Sequence, residues 1–292
     1  MTTLPAPIDR WNARRDEPGL IARLRADPDT RVLLVHEGRA RALSDGLVLV
    51  GPGEIAADAE WALLGARADG TPVLLAAVSE QFEDTHWEGQ QWIGVREGAD
   101  LDPESAELLM TGATLAAWIR DAPFCPRCGA ATELRNAGWS RRCLGCGREH
   151  FPRTDPAVIV AIESADGERL LLGANALWKG RMFSCFAGFV EAGESLEQTV
   201  HREIEEEAGV ILSEVRFFGS QPWPYPRSLM IGFHAVAVDE ASARPDGEEI
   251  VEVRWFTRAE ISAAIAGSAS FGVPGPASVA RRLIADWLAR PR

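Results

Sequence analysis

The stretch G-F-V-E-A-G-E-S-L-E-Q-T-V-H-R-E-I-E-E-E-A-G-V, Gly188 to Val210, decides how this chain is read. Ser195 followed three residues later by Gln198 makes a capping-box start, and Gly209 stands where a left-handed helix cap is expected. The signals predict a helix over Leu196 to Ala208. On a helical wheel Leu196, Val200, Ile204 and Ala208 form one stripe, and Glu203 and Glu207 fall on that side while Glu205 points away.

Two acids on a packing face need an explanation. Their i, i+4 spacing costs a few tenths of a kcal/mol on an isolated helix, and more once water is removed, so something cationic must compensate. A solvated acidic face accounts for Glu205 and Glu197 but not for this pair. Carboxylate oxygens are hard ligands suited to Mg²⁺ or Mn²⁺, and Mg²⁺ is typically shared between a few carboxylates and substrate phosphates. The pattern predicts a divalent-metal enzyme acting on phosphate.

Working outward, strand-like runs P-A-V-I-V-A-I-E and L-L-L-G precede the helix. L-M-I-G-F-H-A-V-A-V and V-E-V-R-W-F follow it, and an amphipathic helix is expected over Ala277 to Arg290. Alternating strands and helices predict a layered α/β domain. From Arg31 to Val78, R-V-L-L-V-H, L-V-L-V and P-V-L-L-A-A-V alternate with turn residues, which predicts a mostly β N-terminal domain, and a helix is expected over Pro103 to Arg120. His36 and His86 stand alone and read as structural histidines.

Between these regions lie Cys125-x-x-Cys128 and Cys143-x-x-Cys146, separated by fourteen residues. Two such knuckles place four thiolates on one tetrahedral Zn²⁺, and Gly129 and Gly147 permit the tight turns. Four sulfurs leave no open coordination position, so the zinc is expected to be structural. Arg127, Arg135, Arg141, Arg142 and Arg148 make a local basic cluster; nucleic-acid binding is the rival use, disfavoured because no aromatic ladder interleaves them. Cys185 reads as a small buried apolar side chain.

The 292-residue chain carries a net charge of −13, which argues against broad binding to nucleic acid or an anionic membrane, though not against a pocket for one nucleic-acid end. The start M-T-T-L-P-A-P lacks signal-peptide character and no apolar run is long enough to span a bilayer, so a cytoplasmic location is expected. Ser220-Gln221-Pro222-Trp223-Pro224-Tyr225-Pro226-Arg227-Ser228 packs three prolines and two large rings into nine residues, and Tyr225 is the only tyrosine. Such a segment is expected to run as an extended, rigid loop, because proline fits neither a helix nor a central strand.

The acidic segment matches the Nudix box at every position: Gly188, Glu194, Arg202, Glu203, Ile204, Glu206, Glu207, Gly209 and Val210. This resemblance implies a Nudix hydrolase, with an α/β/α sandwich whose box forms a loop–helix–loop. Glu203, Glu206 and Glu207 would be metal ligands, with one of them oriented by Arg202. The proton acceptor stays open between Glu207 and a later acid, for which Glu249 is the candidate.

The order of β domain, four-Cys ribbon, box and S-Q-P-W-P-Y-P-R-S further resembles the NADH pyrophosphatase (NudC-type) family. The implied architecture is multidomain, α+β and α/β: residues 1–120 an N-terminal domain, 121–152 the zinc ribbon and 153–292 the Nudix sandwich. The implied reaction is metal-dependent cleavage of NAD(H) to NMN(H) and AMP, with removal of NAD caps from RNA 5′ ends, by a homodimer using Mg²⁺ or Mn²⁺ with one structural Zn²⁺ per subunit. Gln221, Pro222, Trp223, Pro224, Tyr225, Pro226, Arg227 and Ser228 would line the dinucleotide pocket. Ala187 would offer its carbonyl to a metal, Glu249 would complete that site, Ala280 would touch substrate through its backbone, and Phe151 and Phe189 would flank the nicotinamide. Two positions depart from the family pattern: Tyr225 stands for a Phe and Phe151 for a Tyr. The alternatives are hydrolysis of another dinucleotide, such as ADP-ribose or a diadenosine polyphosphate, and a non-catalytic nucleic-acid binder.

Overall fold

In the strand P-A-V-I-V-A-I-E every residue from Ala157 onward is buried, so both faces of the sheet that holds it must be covered. The computed structural model describes residues 7–44, 46–55, 58–78, 90–178 and 181–290, and the chain divides into two compact units, Met1–Arg153 and Thr154–Arg292. The reading of His86 lies outside the described residues.

In the first unit, α1 (Leu20–Ala26) precedes β1 (Arg31–His36), β2 (Arg39–Leu43), β3 (Gly46–Leu47), β4 (Leu49–Val50), β5 (Glu60–Ala66), β6 (Pro72–Ala77) and β7 (Gln91–Ile93), followed by α2 (Pro103–Asp121). These strands form one sheet in the order β3-β2-β1-β6-β5, with β4 on β1 and β7 on β2. Alternation along β1 sends Leu33 and Val35 into a cluster with Leu108, Leu109 and Leu115 of α2, and Val32 and Leu34 into one with Leu20 and Leu24 of α1. The run L-V-L-V supplies two short strands: β3 pairs with β2 and β4 with β1.

The ribbon follows in the same unit as β8 (Thr132–Arg135), β9 (Ser140–Cys143) and β10 (Glu149–His150). Trp139 Nε1 donates to Leu63 O at 2.7 Å, and Arg141, 4% exposed, donates to Ile119 O at 2.7 Å and to Glu60 at 3.0 Å. Arg141 is therefore a buried tie between ribbon and β domain, not part of an open basic face.

The second unit holds β11 (Asp155–Glu163), β12 (Arg169–Asn175), β13 (Phe186–Phe189), α3 (Leu196–Ala208), β14 (Leu212–Trp223), β15 (Ser228–Ala237), β16 (Ile250–Thr257), α4 (Arg258–Ile265) and α5 (Val279–Ala289). Its mixed sheet runs β14-β15-β11-β12-β16, with β13 on β11. Val158, Val160 and Ile162 meet Val200, Ile204 and Ala208 of α3 on one face. On the other face Ile159 and Ala161 meet Ile261 of α4 and Leu283, Ile284 and Trp287 of α5. This α/β/α sandwich is the layering expected from the sequence. Cys185 is 7% exposed within the second cluster, and burial pushes its thiol up to about 12, as expected of an inert apolar filler.

One expectation is corrected. The proline-rich segment is not simply a loop: Ser220 to Trp223 belong to β14 and pair with β15, and only residues 224–227 form the turn, with a cis Tyr225–Pro226 peptide. Because β14 is the last strand of its sheet, Pro222 sits in it without breaking a ladder on its far side.

Candidate active site

The helix α3 begins and ends as its sequence dictates. Ser195 Oγ accepts from Gln198 N–H at 3.2 Å, the Gln198 side chain accepts from Ser195 N–H at 2.8 Å, and Gly209 adopts φ 66°. Its apolar stripe fixes the helix on the sheet, which carries Glu207 into the interior and Glu203 to the margin while Glu206 stays exposed.

Arg202 is the cation that the clustered acids require. Its Nε and Nη2 donate to the two oxygens of Glu194 at 2.7 and 2.9 Å, Nη1 donates to Glu203 at 2.9 Å and to Glu206 at 3.1 Å, and Nη2 also reaches Phe189 O at 3.0 Å. Glu194 further accepts from Thr199 Oγ1 at 2.8 Å and from Glu191 N–H at 3.0 Å. The Arg202 guanidinium, with these donors, holds the Glu194 carboxyl down at about 2. The box arginine thus anchors three acids rather than one.

Glu203 lies against the backbone of Gly188, where an added Cβ would sit 1.9 Å from the Glu203 carboxyl carbon, so a side chain at this position would push the Glu203 carboxyl out of its place. Burial raises the Glu203 carboxyl, with Glu206 and Glu249 adding to the shift and Arg202 opposing it. Glu207 is 6% exposed, and among the described residues its Oε2 has no hydrogen-bond partner. Burial pushes the Glu207 carboxyl up to about 8; Glu249, Glu203 and Asp246 push the same way, and a backbone hydrogen bond from Ala187 opposes them. A buried carboxyl with one oxygen left without a donor, beside two further acids, is an arrangement that a hard divalent cation satisfies.

Glu203, Glu207 and Glu249 line one cavity of about 480 Å³ with Ala187, Phe189, Trp223, Tyr225, Ser228 and Met230. The rings of Trp223 and Tyr225 stand edge to face, 5.4 Å apart, and Phe189 is 52% exposed. The lining combines acids with aromatic rings, which suits a ligand that carries both phosphates and a flat ring.

The other residues singled out from the sequence lie elsewhere. Gln221 turns its side chain to α5, with Nε2 donating to Ala277 O at 2.7 Å and Oε1 accepting from Val279 N–H at 2.6 Å. Arg227 pairs with Asp155 at 2.8 Å. Pro222, Pro224 and Pro226 shape the strand end and turn, and Ala280 is 3% exposed in the first turn of α5. Phe151 belongs to the first unit and is 50% exposed. Sequence reading missed Glu191 and Met230 in the cavity lining, and Asn175, whose Nδ2 donates to Glu249 Oε1 at 3.1 Å. No local pattern marks any of the three.

The four ribbon cysteines bring their sulfurs within 4.8 Å of one another. Gly145 and Cys146 N–H groups donate to Cys143 Sγ at 3.3 Å each, and the buried His150 places Nε2 3.2 Å from Cys125 Sγ. Donors aimed at sulfur favour thiolates, and the set fits a closed zinc site.

Comparison with known proteins matches residues 153–272 to the NUDIX domain and residues 120–151 to the NADH pyrophosphatase zinc ribbon domain. The NAD-capped RNA hydrolase NudC of Mycobacterium bovis is 47% identical over 200 residues, 66% of this chain and 63% of its own length. The NAD-capped RNA hydrolase NUDT12 of Homo sapiens is 37% identical over 198 residues, 64% of this chain and 43% of its own. The match therefore spans less than two thirds of the length of these relatives.

Proposed function

We propose that this chain, a member of the Nudix family carrying the NADH pyrophosphatase type of zinc ribbon, hydrolyses the pyrophosphate bond of NAD(H) to NMN(H) and AMP, and releases NAD caps from RNA 5′ ends. The observation that carries the reading is the single cavity in which Glu203, Glu207 and Glu249 face Trp223 and Tyr225. The related proteins named as NAD-capped RNA hydrolases support the same substrate class.

Each group has a defined task in this reading. Glu203, Glu207 and Glu249 would hold Mg²⁺ or Mn²⁺, with Glu206 beside them at the surface. The bound cation supplies charge withdrawal from the diphosphate and a more acidic water. Arg202 fixes Glu203 and Glu206 through shared hydrogen bonds, so the acids stay arranged before substrate arrives. Trp223, Tyr225 and Phe189 offer rings for the base or nicotinamide. Among the described residues Glu207 Oε2 has no hydrogen-bond partner, which leaves that oxygen to the cation in this reading. The zinc ribbon is structural, since Cys125, Cys128, Cys143 and Cys146 close the coordination shell. The working enzyme is a cytoplasmic homodimer; among the described residues no helix is long and apolar enough to cross a membrane.

A product assay tests the reading. With Mn²⁺, NADH yields AMP and NMNH, and NAD-capped RNA yields a 5′-monophosphate end. Efficient cleavage of ADP-ribose with inert NADH and inert capped RNA would overturn it.

A further inference from the structure

We propose that Asn175 is a positioning residue for the divalent-metal site, fixing the Glu249 carboxylate so that one of its oxygens is held while the other is left to the cation. The inference rests on the metal-site reading above and deepens it.

Glu249 is exposed and stands at the end of the turn that feeds β16, and among the described residues its own segment gives its carboxylate no hydrogen bond. The partner strand β12 supplies the restraint. Asn175 Nδ2 donates to Glu249 Oε1 at 3.1 Å, and the next residue, Ala176, donates its N–H to Glu249 O at 2.8 Å. Side chain and backbone of Glu249 are thus gripped by consecutive residues.

The orientation of Asn175 is set by local geometry. Along β12 the register with β16 shifts after Ala174, which opposes Glu252, so that Asn175 opposes Ile250. A bulge of this kind re-aims side chains and recurs beside active sites. Asn175 Oδ1 accepts from Leu177 N–H at 2.9 Å, which settles the amide's orientation and leaves its nitrogen facing Glu249. An amide nitrogen donates and does not ligate a hard cation, so Asn175 acts on the metal only through Glu249. Among the described residues no donor meets Glu249 Oε2, and the carboxylate borders the same cavity as Glu203 and Glu207. Partners that orient ligands in this way typically affect metal affinity or activity by about 10–100-fold.

The test is Mn²⁺ affinity of the full chain, measured by electron paramagnetic resonance without substrate, in Asn175→Ala, Glu249→Gln and the double variant. Asn175→Ala is expected to weaken Mn²⁺ binding about tenfold, and to add little in the Glu249→Gln background, since both changes remove one interaction. Asn175→Ser covers the case in which alanine fails to fold: its hydroxyl can still accept from Leu177 N–H but is too short to reach Glu249. Wild-type Mn²⁺ affinity in the folded variants, or an equal loss in both backgrounds, overturns the proposal. So does unchanged affinity in Glu249→Gln. A wild-type protein that binds Mn²⁺ yet leaves NADH intact removes the substrate reading and leaves this one standing.

Discussion

Arg202 holds both oxygens of Glu194, at 2.7 and 2.9 Å, and the same guanidinium reaches Glu203 and Glu206. Glu194 is therefore the counter-charge that keeps Arg202 aimed, although it does not line the cavity. Glu194→Gln keeps the shape and loses the charge-assisted fork. The expected outcome is a fall in kcat of about 10–100-fold with the helical circular dichroism unchanged. Wild-type kcat in that variant would show that Glu203 and Glu206 need no anchor.

Glu207 places an ionisable group where the fold alone does not want it. Its folded-state carboxyl, pushed up to about 8, lies above the ordinary 4.5, so the contribution of Glu207 to metal-free stability is fully present below about 4.5 and is lost as pH rises through 8. Glu207→Gln removes that penalty. We expect hydrolysis to be abolished while the metal-free protein gains about 1–3 kcal/mol at neutral pH, read as a higher Tm. A lower Tm would mean that the carboxyl is satisfied by a contact other than metal.

On the same unit, Glu163 has the opposite sign. Burial opposes its ionisation, but hydrogen bonds from His234 and Arg290 and their charge win, so its carboxyl is held below 4.5. Arg290 forks onto both oxygens at 2.7 and 3.2 Å, His234 Nδ1 lies 3.2 Å away, and Asp286 faces His234 Nε2 at 3.0 Å. The stabilisation is fully present above the unfolded value and is lost as pH falls through the folded one. Glu163→Gln should thus melt at a lower temperature than wild type at pH 7, with the two curves converging as pH falls below 4.5 and through the folded-state value of Glu163. Parallel curves over that range would exclude Glu163 as the source of the acid limb.

For the ribbon, Cys143 is the informative cysteine, since it is buried and accepts two backbone N–H bonds. Cys143→Ser should release zinc and lower Tm, because the metal contributes folding free energy and the ribbon is tied by Trp139 and Arg141 to β5 and α2. Chelation of the wild type should give the same shift. Zinc loss at constant Tm would leave the metal without a structural role.

How much of this was legible in sequence depended on the range of the interaction. The limits of α3 were readable because Ser195, Gln198 and Gly209 act within one turn, and the interior position of Glu207 followed from helical period alone. The four cysteines were readable because C-x-x-C geometry is local. The strand Ser220–Trp223 was not, because proline is forbidden only in the interior of a sheet, and edge position is a property of the assembled fold. Asn175 was invisible for the same reason: its partner lies 74 residues away, across a bulge.

Gln221 shows how family motif and local chemistry separate. Both ends of its amide are used where the chain enters α5, at Ala277 O and Val279 N–H, while Trp223, two residues on, lines the cavity. Alternation along a strand puts neighbours on opposite faces and i, i+2 on one, so the bend after Trp223 and the bonds to α5 decide which side chain reaches ligand. Gln221→Ala leaves a backbone donor and acceptor at the start of α5 without their partner, costing about 1–3 kcal/mol in stability. Trp223→Ala should instead raise KM for NADH with a small change in Tm, because its half-buried ring contributes more to the ligand cavity than to the core. Measuring Tm and KM in both variants separates the roles, and a raised KM at unchanged Tm in Gln221→Ala would return that side chain to the ligand.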